Sequence, residues 1–410
     1  MIFYYYLYKN KYLFSIEDKY NYTKVKNIPL HIDELYFLYE SDKNASKGSY
    51  AVSETTDLFN YEESIELLKL KGSEEIIPEN IKQLIDRRKI KAVNTSYENY
   101  EERFCFAESK KKTVNILALG DVGSTLLTGL KLLGGDIVEY IGIYDRSPEK
   151  IQRFEYEMNQ ISFPFEYDVL PEVHGISKDE LFDCDMFVFC ASKGVPPIGD
   201  EGKDVRMVQL EENARLIREY VIMAADKDFK GIFAVVSDPV DPLCAVVLKE
   251  SNNKLLPEQI KGYGLGVMNA RAVYYAKKHK EYAMYLDEGR AFGPHGNDLV
   301  IANSIINYDD KLSNRLTKLA VEANLQVRKT GFKPYIAPAL SSGAISIVYT
   351  LEGKWHYSSN YIAGVYMGAK NRNLCSGLEI EKINMPDELF DRIKYTYDNL
   401  KKIRDLSFCE

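Results

Sequence analysis

Between Thr113 and Asp145 the chain reads strand, glycine turn, helix, strand, acid, an order that few folds accommodate. Val114-Asn115-Ile116-Leu117 is an apolar run of buried-strand type. Ala118-Leu119-Gly120-Asp121-Val122-Gly123 is a turn, Ser124 to Leu133 has helical apolar spacing, and Ile137 to Tyr144 is a second strand ending at Asp145. A β-α-β unit of this kind implies a parallel sheet. Gly120 lets the backbone approach a pyrophosphate, and Gly123 lets the helix pack closely on the strand. Ala118, Gly120, Asp121, Val122 and Gly123 therefore form a candidate phosphate cradle, in which the orphan N–H groups and partial positive charge of the helix start face the anion. Asp145 lies about twenty residues beyond the turn, where a carboxylate binds both ribose hydroxyls of an adenosine. Such an acid repels a 2′-phosphate, which favours NAD over NADP as the cofactor. One position departs from the pattern: Ala118 stands where the first glycine of G-x-G-x-x-G belongs.

The chain has 410 residues, more than one ordinary domain needs. Its first hundred-odd residues differ from the rest. Aromatic and β-branched runs, Ile2 to Tyr8 and Tyr12 to Ile16, flank Lys9-Asn10-Lys11 and predict a β-hairpin. Glu62 to Lys71 and Pro78 to Ile90 carry helical spacing, the second with proline at its opening. A small α/β domain over 1–111 follows, with a dinucleotide-binding domain over 112–245 and a substrate domain over 246–410. The tyrosine-rich hairpin reads either as a partner surface or as part of a small packed domain.

Lys and Arg total 53 against 61 Asp and Glu, a net charge of −8. Without a basic face the chain is a poor nucleic-acid binder. Its longest uncharged stretch, Pro334 to Leu351, contains two prolines, a glycine and several hydroxyl residues, and reads as buried loop, strand or helix rather than a membrane span. The six cysteines are dispersed, without a CxxC pair or histidines at zinc-ligand spacing, so no metal site is expected. No secretion signal is visible at the start, and the expectation is a soluble, cytoplasmic protein.

Three further segments follow in order. Phe187 to Ser192 is a strand running into a Gly/Pro-rich loop, then Arg206 and a helix. Ile232 to Val236 is a strand ending in Ser237-Asp238-Pro239-Val240-Asp241. Last come Gly262 to Arg271 and the turn Phe292-Gly293-Pro294-His295-Gly296-Asn297-Asp298. In this order the segments resemble the lactate/malate dehydrogenase family from about Thr113 to the C-terminus, leaving the N-terminal domain uncovered. The resemblance implies an NAD-dependent oxidoreductase acting on a small 2-hydroxy or 2-oxo acid, usually a homodimer or homotetramer. His295 matches the family's catalytic histidine, suited to proton exchange near neutrality. Arg271 matches the arginine that grips the substrate carboxylate with a two-pronged contact. Arg206, seven residues before Asn213, matches the mobile-loop arginine that polarises the carbonyl. Ser341 falls where the family lines the substrate pocket. Each residue alone would read as an ordinary loop or surface group; their order behind a nucleotide motif is what raises them.

Two positions depart from the family. The aspartate that orients the histidine, three residues before the carboxylate-binding arginine, is Met268 here, and the asparagine of T-N-P-V is Asp238. Either Asp238 has moved in to support His295, or selection for dehydrogenation has relaxed. Asp298 or an acid outside these motifs is a further candidate support. In the loop before Arg206, Asp200 stands where malate enzymes carry arginine, which disfavours malate. The fold class is thus α/β: a Rossmann-type parallel sheet, then an α+β substrate domain, preceded by a small α/β domain. The competing functional class is an NAD(H)-binding regulatory or sensor protein without dehydrogenase activity. An NAD-dependent glycosidase would need a Cys/His metal site that is not evident.

Overall fold

The computed structural model describes residues 2–29, 31–72, 75–108, 110–193 and 205–407, the side chains of 205–208, 406 and 407 excepted. They fall into two units.

In the first unit, β1 (Tyr4–Tyr8) and β2 (Lys11–Ser15) pair antiparallel. Lys9 and Asn10 both have positive φ, 44° and 63°, the geometry of a two-residue hairpin turn that follows the natural strand twist. With β3 (Thr23–Val25), β4 (Leu35–Tyr39), β5 (Ser49–Ala51) and β6 (Ile90–Asn94) they make one sheet in the order β3-β1-β2-β4-β6-β5. All five residues of β4 are buried because both sheet faces are covered. One face packs Phe14, Phe37 and Leu35 against Ile81, Leu84 and Ile85 of α1 (Glu79–Asp86); the other gathers Tyr6, Tyr36 and Phe104. The helix expected over Glu62 to Lys71 is only a 3₁₀ turn, Ile65–Leu68. Beyond it Lys69 is extended and bridges Ile383, so a distant backbone partner overrides local helical spacing.

The second unit begins with β7 (Lys112–Leu117), α2 (Asp121–Leu133), β8 (Val138–Tyr144), α3 (Pro148–Asn159), β9 (Glu172–Gly175), β10 (Met186–Phe189), α4 (Val205–Asp226), β11 (Ile232–Val235), α5 (Val240–Glu250) and β12 (Ile260–Gly262). Their parallel order is β12-β11-β10-β7-β8-β9. The chain reverses direction across the sheet between β7 and β10, the switch point beside which doubly wound sheets bind ligands. Then come α6 (Leu265–Lys278), α7 (Tyr285–Glu288), the hairpin β13 (Arg290–Phe292) and β14 (Val300–Ala302), and α8 (Asp310–Arg328). A π-helical stretch, Pro338–Ala344, leads into α9 (Ile345–Leu351), followed by β15 (His356–Ile362), β16 (Val365–Leu374), β17 (Gly377–Ile380) and α10 (Asp387–Ser407), of which β17 and the end of β16 belong to the first unit. β12 meets β15 antiparallel at Gly262 and Ser359. Cores on the two sheet faces hold Phe187, Phe233 and Leu243 on one side and Ile116, Ile141 and Leu126 on the other. The uncharged run Pro334 to Leu351 is thus mostly helix, and no described helix is long and apolar enough to cross a membrane.

The unit boundaries differ from the three-way division read from sequence. Residues 110–361 form a single unit containing both the nucleotide-type sheet and the α+β part. Ile362–Gly364 and Asn371–Asn384, assigned above to the substrate domain, cluster with the N-terminal residues. There Glu379 accepts from Arg88 at 3.0 Å and Arg372 at 2.7 Å.

Candidate active site

The glycine turn joins β7 to α2. Ala118, in place of a glycine, takes φ +77°. That left-handed conformation costs an L-residue roughly 1–2 kcal/mol. Two hydrogen bonds hold it: the Ala118 N–H donates to the Tyr144 carbonyl and the Leu119 N–H donates to Asp145 Oδ2, both at 2.8 Å. Gly123 is dictated by packing, since a Cβ there would lie 1.9 Å from the Ala118 carbonyl oxygen. Gly120 is not. Its backbone is extended, a conformation open to any residue, and a Cβ would meet no protein atom within 4 Å. The space above this backbone is open, and the turn and helix start fit a dinucleotide's pyrophosphate. Asp121 opens α2 and pairs with Lys333 at 3.0 Å, and Val122 sits half-buried in the same first turn. Asp145 Oδ1 accepts the Ser147 N–H at 3.0 Å, so this carboxylate braces the turn from the end of β8.

His295 lies in the loop between β13 and β14. Gly293 and Gly296 take φ +88° and +136°, which fits the G-P-H-G sequence of that bend. The loop delivers the imidazole to Asp238, just beyond β11, with Nδ1 to Oδ1 at 3.2 Å. His295 Nε2 is buried and has no hydrogen-bond partner among the described residues. Asp298 is directed elsewhere: its carboxylate accepts from Asn399 of α10.

Arg271 and Met268 are one turn apart on α6. Met268 is buried, and Arg271 Nη1 donates to its sulfur at 3.4 Å and to the Ala320 carbonyl at 3.3 Å. Burial pulls the guanidinium below its ordinary range, while the charge of Asp238 opposes the shift. A cation, an imidazole and a carboxylate are thereby gathered from α6, the β13–β14 loop and the end of β11, a set able to grip an anionic group and move a proton beside it.

Ser341 lines a groove of about 410 Å³ with Gly266, Asn269, Trp355 and Tyr357, and the lining includes none of His295, Asp238 or Arg271. The π-helical stretch carries one extra residue per turn, and its neighbour Ser342 is the one turned inward, donating to the Gly264 carbonyl at 2.7 Å and accepting from the Val267 N–H at 2.8 Å. Arg206 lies in the first turn of α4, with its side chain outside the described residues, as is all of Asp200. Of the remaining histidines, His356 is a hydrogen-bonded core residue, bound to Thr350 at 2.8 Å and pushed down to about 3 chiefly by burial. Among the described residues no group of three His, Cys, Asp or Glu is placed to hold a metal ion.

No protein-family profile matches the chain. Among curated proteins, L-lactate dehydrogenase of Staphylococcus haemolyticus is 24% identical over 238 residues, 53% of this chain and 70% of the relative. L-lactate dehydrogenase of Borrelia turicatae is 21% identical over 321 residues, 72% of this chain and 98% of the relative. The crystal structure of minor L-lactate dehydrogenase from Enterococcus mundtii superposes with TM-score 0.61 at 20% identity, over 73% of this chain and 99% of that one. Malate dehydrogenase from Aeropyrum pernix gives 0.59 at 16% identity, over 72% and 97%. The chain is a divergent relative of the lactate/malate dehydrogenases.

Two buried residues went without a role in the sequence reading. Asp241 opens α5 at 4% exposure, with Oδ1 unpaired among the described residues, and burial raises its carboxyl to about 7. Asn213, fully buried in α4, was noted only for its spacing from Arg206. The Asp241 signal was a second acid in the S-D-P-V-D run; Asn213 gave none beyond being an amide amid a helix.

Proposed function

We propose that this chain is an NAD-dependent oxidoreductase that transfers a hydride between nicotinamide and a small 2-hydroxy or 2-oxo acid. The observation that carries the reading is the His295–Asp238 pair. With Nδ1 engaged by the carboxylate, Nε2 is left buried and unpartnered, a state that a substrate oxygen would relieve. In this reading Nε2 takes the hydroxyl proton during oxidation and returns it during reduction, while Asp238 fixes the ring tautomer and stabilises the imidazolium. Arg271 binds the substrate carboxylate through the guanidinium edge not engaged by Met268 and Ala320, and Arg206 polarises the carbonyl. Ala118, Gly120, Asp121, Val122 and Gly123 cradle the pyrophosphate, and Asp145 holds the adenosine ribose. Nicotinamide, when bound, donates or accepts the hydride. The protein acts as a cytoplasmic homo-oligomer on a small molecule, without nucleic acid or membrane; sedimentation of the purified chain tests the assembly.

One feature favours a second reading, an NAD(H) sensor without turnover: Arg271 has its Nη1 turned to Met268 and Ala320. Calorimetry with NAD, NADH and NADP, followed by a 2-oxo-acid panel read by NADH absorbance, separates the two. Turnover that is largely lost in Asp238→Asn supports the enzyme, even though the substitution restores the family's residue. NADH binding without turnover on any acid supports the sensor, and absence of binding sinks both.

A further inference from the structure

We propose that Asn213 is a positioning residue that sets the Asp238–His295 pair by fixing the Asp238 peptide, an inference resting on the dyad reading above. The Asn213 amide is fully buried, and it joins two loops at the carboxyl ends of adjacent strands. Its Nδ2 donates to the Asp238 carbonyl at 2.7 Å, and its Oδ1 accepts the Lys193 N–H from the segment after β10 at 3.1 Å. Nδ2 also lies 3.4 Å from Ser192 Oγ. A second stitch runs beside it, from Ser237 Oγ to the Ala191 carbonyl at 2.7 Å. An amide is the side chain this junction needs, because one end must donate to a carbonyl while the other accepts an N–H. A carboxylate would face the Asp238 carbonyl with no hydrogen to offer, and an aliphatic residue would leave both the Lys193 N–H and the Asp238 carbonyl without this partner.

The purpose of so firm an anchor follows from the dyad. Asp238 Oδ1 is 3.2 Å from His295 Nδ1, longer than a charge-assisted contact prefers, and the Asp238 side chain is 48% exposed. The geometry of this pair therefore depends heavily on where the Asp238 backbone is held. In the described structure His295 reaches the pair from a separate glycine-rich loop, so neither partner's own element aligns the other. Asn213, from a long helix packed on the sheet, supplies the fixed point.

The test reads the His295 ring directly and does not depend on knowing the substrate. Nitrogen-15 spectra of histidine-labelled protein, with His295 assigned by the signal lost in His295→Gln, distinguish the Nδ1–H from the Nε2–H tautomer. Wild type is expected to show Nδ1–H facing Asp238; Asp238→Asn redistributes the proton toward Nε2. Asn213→Ala should shift the signal the same way, and should add nothing in the Asp238→Asn background. With a turned-over substrate, kcat should fall on the order of 10- to 100-fold while KM and NADH affinity stay within a few-fold, and the double variant should again match Asp238→Asn. If Asn213→Ala does not fold, Asn213→Ser, which retains one donor, carries the same comparison. An unchanged tautomer in the folded variant, or equal additional loss without Asp238, overturns the positioning role. A wild-type ring already in the Nε2–H form overturns the dyad reading itself.

Discussion

Replacing Asp241 by asparagine should change how the stability of the larger unit depends on pH. The Asp241 carboxyl is buried at the start of α5, and desolvation raises it from 3.8 to about 7, against the opposing pull of Ser359, its own backbone N–H and His295. A raised acid means that the folded protein keeps a proton which the unfolded chain has lost. Its contribution to stability is complete below the unfolded value and declines as pH rises through the window from 3.8 to about 7, with a plateau above. At 1.36 kcal/mol per unit the whole window amounts to about 4 kcal/mol, of which roughly 2–3 kcal/mol falls between about pH 5 and pH 8. Asparagine keeps the shape and an acceptor but cannot ionise, so Asp241→Asn should flatten this part of the profile and gain most at the alkaline end. Trp355, the only tryptophan, lies in the same unit, so urea unfolding followed by its fluorescence reports on the right part of the chain. All other titrating groups are common to the two proteins, and the quantity that matters is the change in their difference with pH. Parallel pH profiles for wild type and variant would refute the argument.

Gly120→Ala should leave the unfolding midpoint nearly unchanged yet weaken NADH binding, because a Cβ there meets no protein atom, whereas Gly123→Ala should destabilise through its clash with the Ala118 carbonyl; thermal unfolding and calorimetry on both variants check this, and a loss of stability at Gly120 contradicts it. Asp145→Ala should weaken NAD binding and narrow the gap to NADP, with part of the loss arising from the freed Leu119 N–H; competition binding that finds both affinities unchanged removes the adenosine from this site. Arg271→Lys should raise KM for any true 2-oxo-acid substrate by about 10- to 100-fold, since the charge survives but the fork does not; steady-state kinetics with unaltered KM would show that the carboxylate binds elsewhere.

Local signals made the nucleotide-type unit legible. Strand, glycine turn, helix and acid lie within one short stretch, and their hydrogen bonds and packing are decided between neighbours, down to Gly123 against Ala118. The hairpin at Lys9-Asn10 was readable for the same reason, a turn chemistry written into two adjacent residues. The order of the later motifs carried the family resemblance, and with it the candidates His295, Arg271 and Arg206.

What the sequence left open were the contacts made over long separations. No local signal announces the loop fold that brings His295 to Asp238, 57 residues away in the chain. The π-helical turn that faces Ser342 rather than Ser341 inward carries no apolar period of its own to announce it. Helical spacing at Glu62 to Lys71 gave way because Ile383, more than three hundred residues later, offers a backbone partner there. In the same way Asn371–Asn384 joins the N-terminal unit through ion pairs such as Arg88 with Glu379. Residue type and spacing determine which local structure is affordable, but which of two affordable arrangements is realised depends on burial and on partners that only the folded chain brings together.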